Sequence, residues 1–555
     1  MMRRIKLGLV LAIVVQTIVY LVAGANKAYI HMDEAYSLAL AQYDKIDITA
    51  NTDFYNTWHT SEYYQDYLAV QEKDQGNWWP VYENQKNDVH PPLYYLLLRG
   101  IMELTPGRFS KWPGIILNIV IMAGCTVFLY LILCKLLAKE KNVEWKALAL
   151  ALAAGLTVAG VSTVVYIRMY ALLELMVLAT LWLHLKWREQ AHPGMGWYVA
   201  IGVVAVLGVL TQYYYLFFLM GLALVVMVQD VRQKNWRDLA KYLGSLVVAG
   251  VLVLIIWPHI LQHMFFGYRG QGVLSNLVNP VVLLQHLWNY FWIVDYNVFH
   301  RTLILLILVV VMVALCKLFE NYLAAGTGQN HGPSVARDSI LRVPPNSKTI
   351  YKAPRAQLQV LNLVLWPTVV YFVLAAVASP YMELRYIMPV CGLIFALVFY
   401  GLHCVLKDIL AEKWCNIVMT AVVLVTLLVA PVQIGFGWMR VELLYRDRQA
   451  VMTAVTENPE APILYFITTE NNRFLDNILP FAEAQESYLA LDLLNPTAQD
   501  VKEILVDKDL SRGLFVFIST SQDQEKALTA VRQATGLDQV DYVQGVNTCG
   551  VYYLH

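Results

Sequence analysis

The chain has 555 residues, 58% of them hydrophobic, and a mean hydropathy of +0.49, well above the roughly 45–50% apolar content of soluble domains. That composition excludes an ordinary soluble globular protein. Its 41 Lys and Arg balance 41 Asp and Glu, so no bulk charge points to a nucleic-acid partner and none is expected.

Uncharged runs such as 7–23, 115–133 and 303–315 reach, with their flanks, the roughly 17–25 residues that cross a bilayer. The pattern predicts about 11 transmembrane helices, near 5–23, 113–134, 146–164, 170–187, 197–212, 214–229, 240–258, 302–319, 358–378, 386–406 and 415–437. Arg3, Arg4 and Lys6 precede the first span. Lys135, Lys139, Lys141 and Lys146 follow the second, Arg232, Lys234, Arg237 and Lys241 follow the sixth, and Lys348, Lys352 and Arg355 precede the ninth. Opposite loops hold little beyond Arg168, Arg269, Arg301 and Arg385. The positive-inside bias therefore predicts a cytoplasmic N-terminus, a first run retained as an anchor, and an outer C-terminal region.

Three segments interrupt the apolar pattern. Residues 24–112 form a first outer loop rich in Trp and Tyr, where short interfacial helices are expected. Residues 320–357, with Gly326, Gly328, Gly332, Pro333, Pro344 and Pro345, read as a flexible cytoplasmic loop. Residues 438–555 read as an extracytoplasmic soluble α/β domain. The apolar runs 463–467 and 514–518 suit buried strands, 497–505 and 524–534 have helical spacing, and Thr497 suits an N-cap. Cys549 is alone there, so no disulfide framework is expected.

Asp33 and Glu34 follow the first span closely, in His31-Met32-Asp33-Glu34-Ala35-Tyr36-Ser37. A carboxylate at a membrane surface suits a general base, and burial there is expected to raise its pKa. The alternative is that the pair caps a helix beginning near Ala35. His90-Pro91-Pro92-Leu93-Tyr94-Tyr95 opens an aromatic helix, with His90 either architectural or a hydrogen-bond donor to an anionic ligand. Arg168, in Tyr166-Ile167-Arg168-Met169-Tyr170, and Arg385, in Glu383-Leu384-Arg385-Tyr386, stand on turns between spans. A guanidinium at that depth needs an acidic partner and suits phosphate or carboxylate; pairing with Glu174 or Glu383 is the structural alternative. His31, Asp33, Glu34 and His90 include ligand types for a divalent metal such as zinc or manganese, but no compact spacing fixes a geometry and no metal is assigned.

In this order along the chain, the Asp-Glu pair, the His-Pro-Pro-Leu-Tyr-Tyr segment, the Arg-Met-Tyr turn and Arg385-Tyr386-Ile387-Met388-Pro389 resemble the GT-C glycosyltransferases. The resemblance is to the protein mannosyltransferase and aminoarabinose transferase group, over about residues 1–410 of a membrane portion spanning 1–437. It implies a polytopic α-helical GT-C fold and inverting transfer of a sugar from a polyprenyl-phosphate donor on the outer face of the membrane. Its acceptor would be a hydroxyl of a glycan, lipid or protein. By the same resemblance Asp33 is the base, Glu34 positions the acceptor or sugar, Arg385 and Arg168 hold the departing phosphate, and Tyr170 and Tyr386 line the site. The aminoarabinose transferases carry lysine where this chain has His90. No match extends into 438–555, which is expected to help select the acceptor. A bacterial plasma membrane is the expected setting. The rival class is a transporter or lipid flippase, which would place ionisable groups near the midplane and show broken helices and repeats. Here the charged candidates gather at one surface and no repeat is visible.

Overall fold

In hydrocarbon every backbone polar group must be satisfied within the protein, so uncharged runs of this length fold as helices. The computed structural model describes residues 2–42, 48–50, 52–266, 280–308, 311–312, 315, 355–436, 441–546 and 548–555. Among these, seven helices are long and apolar enough to cross a membrane: Lys6–Ala25, Trp112–Leu136, Tyr170–Arg188, Tyr215–Gln233, Trp236–Ile256, Ala356–Ala378 and Met388–Lys407. Met195–Thr211 is a shorter apolar helix, and Glu412–Phe436 covers the last expected span. The expected span 302–319 is described only in part, and the expected loop 320–357 lies almost wholly outside the described residues.

The third expected span, 146–164, is not continuous. It is two helices, Val143–Gly155 and Val158–Val165, bent by 58° at Leu156-Thr157. Such a break leaves carbonyls short of intrahelical partners, and the first span adds donors around it, although the Leu152 carbonyl still accepts from Leu156 N–H at 3.2 Å. Gln16 Nε2 donates to the carbonyls of Ala151 (3.3 Å) and Leu152 (3.2 Å), and the Tyr20 hydroxyl donates to that of Gly155 (2.8 Å). Thr126 Oγ1 fixes the Gln16 amide by donating to its oxygen at 2.7 Å. Thr157 caps the second helix, its hydroxyl accepting from Gly160 N–H at 3.1 Å. A Cβ on Gly155 would strike the Gln16 amide, and one on Gly160 the Gly155 carbonyl. The bend delivers the second helix to the Tyr166-Ile167-Arg168 turn, where Asn118 Nδ2 donates to the carbonyls of Val164 (3.0 Å) and Tyr166 (2.8 Å).

The first loop contains the helices Met32–Leu40, Ser61–Leu68, Trp79–Asn87 and Leu93–Met102, and one short strand, β1, Trp58–Thr60. The remaining strands lie in the C-terminal region: β2 Ile463–Ile467, β3 Glu486–Leu491, β4 Leu514–Ser519, β5 Val540–Val546 and β6 Cys549–Leu554. They form one mixed sheet in the order β1-β3-β2-β4-β6-β5, with β2 parallel to both β3 and β4. The two apolar runs expected as buried strands are its centre, β2 and β4, buried at every position. The expected helices appear as Ala498–Ile504, capped by Thr497, and Gln524–Thr535.

The C-terminal layer is not a separate body. Strand β1 of the first loop pairs antiparallel with β3, Trp58 opposite Tyr488 and Thr60 opposite Glu486. Ala28 N–H donates to the Leu444 carbonyl (2.8 Å) and Gln65 Nε2 to that of Ala482 (2.7 Å), while Phe54 packs edge-on against Phe474. Alternate residues of β2 divide between two cores, as the period of a strand requires. Leu464 and Phe466 pack with Val501 and Val531, whereas Ile463, Tyr465 and Ile467 join an apolar core continuous with the first loop and the spans.

Candidate active site

Helix Met32–Leu40 begins with His31 as its N-cap, and the local hydrogen bonds give the two adjacent carboxylates different tasks. His31 Nδ1 accepts from Asp33 N–H (3.1 Å), and Glu34 Oε2 accepts from His31 N–H (2.8 Å), closing a capping box. Glu34 is fully buried: Lys27 Nζ donates to the same oxygen at 2.9 Å, and Ile167 N–H donates to Oε1 at 2.9 Å. It lines neither of the site's cavities. The resemblance gives Glu34 the task of positioning the acceptor or sugar; in the structure its oxygens tie the first span, the helix cap and the 166–168 turn together.

Asp33 is one position earlier and faces the opening. Its Oδ2 accepts from the Tyr166 hydroxyl (2.9 Å) and is ion-paired with Arg385 Nη1, which also donates to the Tyr166 oxygen (3.1 Å). Arg168 Nη1 donates to the Asp33 carbonyl (3.1 Å) and to Ser37 Oγ (3.2 Å). The Nε of Arg168 is buried and makes no hydrogen bond among the described atoms. Burial pushes the Asp33 carboxyl up. Arg168, Arg385 and His31, with the Tyr166 hydrogen bond, outweigh it and hold the carboxyl well below the usual carboxylate range. The sequence expectation of a raised pKa is thus reversed, because burial came with two guanidinium groups. Burial is also the largest influence on His31 and holds its imidazole below the usual value, in keeping with a neutral ring accepting from Asp33 N–H.

His90 sits behind Arg168. Its Nδ1 is 2.5 Å from Asp88 Oδ2 and its Nε2 is 3.5 Å from Arg168 Nη2. Burial raises the Asp88 carboxyl, but His90 and Arg168 prevail and keep it low. Nδ1 is thus the ring nitrogen that faces Asp88, and Nε2 the one that faces Arg168. This geometry braces the guanidinium rather than offering an N–H to a ligand. Tyr170 stacks on Tyr166 with ring centroids 6.0 Å apart and planes 7° apart, and the Arg385 guanidinium lies over Tyr386 at 5.3 Å.

Asp33, His90, Arg168, Tyr170, Arg385 and Tyr386 all line one cavity of about 570 Å³. A second cavity of about 1020 Å³ adjoins it and shares His31, Glu383 and Arg385. The two arginines differ in their acidic partners: Arg385 has Glu383 at 3.3 Å as well as Asp33, whereas Arg168 does not pair with Glu174 among the described contacts. Among the described residues no three of His, Cys, Asp and Glu are placed to share a metal ion.

Several members of the site escaped sequence reasoning. Tyr166 lies two residues before Arg168 and Asp88 two before His90, so both were within reach of the motifs. Lys27, and Arg473 and Asp476 of the C-terminal layer, carried no local signal. Arg473 lines the smaller cavity and pairs with Asp476 at 2.7 Å, whose Oδ1 accepts from Met32 N–H at 3.1 Å beside Asp33.

Residues 89–257 match the family model described as dolichyl-phosphate-mannose-protein mannosyltransferase. The matched segment includes His90, Arg168 and Tyr170; Asp33 and Arg385 lie outside it. The match bears out the resemblance read from the motifs and supports an enzyme of the glycosyltransferase class. The chain is also similar to ArnT from Cupriavidus metallidurans in two crystal structures. The apo form gives 14% identity and a TM-score of 0.46, and the form bound to undecaprenyl phosphate 12% and 0.44. Each alignment covers 98% of this chain and 97% of the other. No curated protein matches the chain.

Proposed function

We propose that this multi-pass membrane protein transfers a sugar from a polyprenyl-phosphate donor to an acceptor hydroxyl, with Asp33 as general base. The observation that carries the reading is Asp33 itself. It is a carboxylate held ionised between Arg385, Arg168 and Tyr166, at the wall of a cavity that adjoins a second one. The family model's own description supplies the donor class.

In this mechanism the acceptor oxygen attacks the sugar's anomeric carbon as its proton passes to Asp33. The bond from that carbon to the phosphate oxygen breaks on the opposite side, and the electron pair leaves with the polyprenyl phosphate. Configuration inverts. The leaving group gains negative charge as it departs, and guanidinium donors preorganised in a low-dielectric cleft stabilise that charge. Arg385 and Arg168 have this role.

The low pKa of Asp33 gives the pair a second consequence. While both guanidinium groups face Asp33 the carboxylate is a weak base. A donor phosphate that draws their charge toward itself relieves that field and raises the basicity of Asp33, so the base is strengthened when donor is present.

Lysine and arginine placement supports a cytoplasmic N-terminus and an outward-facing site. The C-terminal layer takes part in acceptor selection, since Arg473 reaches the smaller cavity from it. The transporter reading gains one broken helix, Val143–Gly155 with Val158–Val165. That break serves to deliver the Tyr166–Arg168 turn to the end of the spans, where the ionisable groups gather. The test is release of polyprenyl phosphate from a panel of radiolabelled polyprenyl-phosphate sugars by purified protein in nanodiscs. Release from one donor, giving a product of inverted anomeric configuration, is expected; release from none by folded protein would overturn the reading.

A further inference from the structure

The C-terminal layer has an open end that the mechanism does not use. Strand β2 lies between β3 and β4 and runs parallel to both. After β2 the chain turns to the face packed on the first loop, where Ile478 and Phe481 are buried. After β4 it turns to the opposite face, where Ala527 and Val531 of helix Gln524–Thr535 are buried. Neighbouring parallel strands whose connections part in this way leave a crevice outside their carboxyl ends, the usual ligand site of such sheets.

Here the crevice is edged with hydroxyls and amides. Thr468 Oγ1 is 2.9 Å from Ser521 Oγ, which is 2.8 Å from Ser519 Oγ, and Asn471 Nδ2 donates to Ser519 Oγ at 3.5 Å. The side-chain amide of Gln522 makes no hydrogen bond among the described atoms, and neither does Asn472 Oδ1. Asn472 Nδ2 donates to the hydroxyl of half-buried Tyr55.

The crevice continues at both ends. On one side the chain runs from Thr468 to Arg473, at the wall of the cavity that contains Asp33. Those five steps span at most about 18 Å. On the other side Ser521 and Gln522 lead to Asp523, at the rim of a groove of about 610 Å³ between the starts of helices Ala498–Ile504 and Gln524–Thr535. Asn495, Thr497, Thr529 and Gln533 line this groove. A polar track thus runs from the Asp33 cavity over the end of the sheet to the groove.

The chemistry of the track selects its occupant. Its cations are paired, Arg473 with Asp476 at 2.7 Å and Lys526 with Asp523 at 3.2 Å. Exposed Glu470 and Glu525 add negative charge, so an anionic polymer or headgroup is repelled. A peptide is held by a free strand edge or by apolar pockets, whereas β2 and β4 are interior strands of the sheet. Neutral hydroxyls and amides, with a tyrosine ring beside them, match a ligand that is itself rich in hydroxyls.

We infer that the acceptor is an uncharged glycan: its reacting end enters the Asp33 cavity, and its following sugars lie along Asn471, Ser521 and the groove at Thr529. The inference rests on the transfer to a hydroxyl proposed above and chooses glycan over lipid and protein as the acceptor.

The experiment measures binding to the full chain in nanodiscs, without donor. Its probes are neutral oligosaccharides of glucose, mannose and N-acetylglucosamine, uronic-acid oligosaccharides, and peptides containing Ser and Thr. Wild type is expected to bind a neutral series with affinity that rises with chain length. Thr529→Trp, which fills the groove from an exposed helix position, should weaken the longer members about tenfold or more while leaving its unfolding temperature and monosaccharide binding unchanged. Asn471→Ala should weaken them about threefold to tenfold, the size of one or two neutral hydrogen bonds. Preference for peptides or uronic acids would overturn the inference. So would absence of neutral oligosaccharide binding by folded protein, affinity independent of length, or unchanged binding in either variant. Because no donor is present, each of these results leaves the donor reading, which polyprenyl phosphate release tests, in place.

Discussion

Glu34→Gln separates a structural carboxylate from a catalytic one. In the wild type the Lys27 and Glu34 side chains are both fully buried, 2.9 Å apart. The glutamine amide can still accept from Ile167 N–H through its oxygen, but it meets Lys27 without charge. Removing one member of a buried ion pair typically costs about 3–5 kcal/mol, because the remaining charge is left in a low dielectric. Lys27 Nζ also donates to the Leu443 carbonyl at 2.7 Å, and burial already lowers its pKa, so it can shed its proton. Both effects favour the lower end, about 3 kcal/mol, or roughly a hundredfold in the folding equilibrium. Thermal unfolding in detergent, followed alongside donor turnover at a temperature where both proteins are folded, checks this. Glu34→Gln should unfold at a clearly lower temperature and retain turnover well above that of an Asp33 variant. The double variant Lys27→Met with Glu34→Leu should recover most of the lost stability, since a well-packed apolar pair is often neutral or better. Unchanged unfolding with turnover lost a hundredfold would refute the structural role and return Glu34 to the chemistry.

Three further outcomes follow from the same geometry. Since Arg168 and Arg385 keep the Asp33 carboxyl below the ordinary range, Asp33 stays ionised as pH falls through about 4; Arg385→Gln should raise its pKa, and an acid limb of kcat/KM that does not move upward in that variant would contradict this. Tyr166→Phe removes one hydrogen bond to Asp33 and one from Arg385, and should lower kcat about tenfold, as a charge-assisted bond of roughly 1.5–3 kcal/mol implies; an unchanged kcat would count against it. His59→Pro, in the middle of β1, should weaken the edge pairing to β3 and make the C-terminal layer more sensitive to limited proteolysis; wild-type resistance would show that the other loop contacts suffice.

What the sequence made legible was local or marked by chemistry. Uncharged runs of span length announced the helices, and β2 and β4 were visible as short runs rich in β-branched and aromatic residues. Asp33, Arg168 and Arg385 stood out because charge is expensive near hydrocarbon, and the fold brings them to one cavity. The broken third span was hidden by uniform hydropathy. Only Gly155, Thr157 and Gly160 marked it, and the partners that make it tolerable, Gln16 and Tyr20, lie on another helix. Strand β1 has three residues and pairs with residues more than four hundred positions away, beyond any local pattern. The buried ties of Glu34 and the direction of the Asp33 pKa were hidden for one reason: they depend on cations, Lys27 for Glu34 and Arg168 and Arg385 for Asp33, that only the tertiary fold brings near.

The central claim is that Asp33 takes the acceptor's proton in a sugar transfer from polyprenyl phosphate. Its most direct test compares wild type with Asp33→Asn for binding of the identified donor and for release of polyprenyl phosphate. We predict that the variant binds donor at least as well as wild type, because Arg385 loses its ion pair with Asp33 and is freed for the phosphate. It should release polyprenyl phosphate about a hundredfold to ten-thousandfold more slowly, the range of general-base catalysis. Release at the wild-type rate by Asp33→Asn would contradict the account.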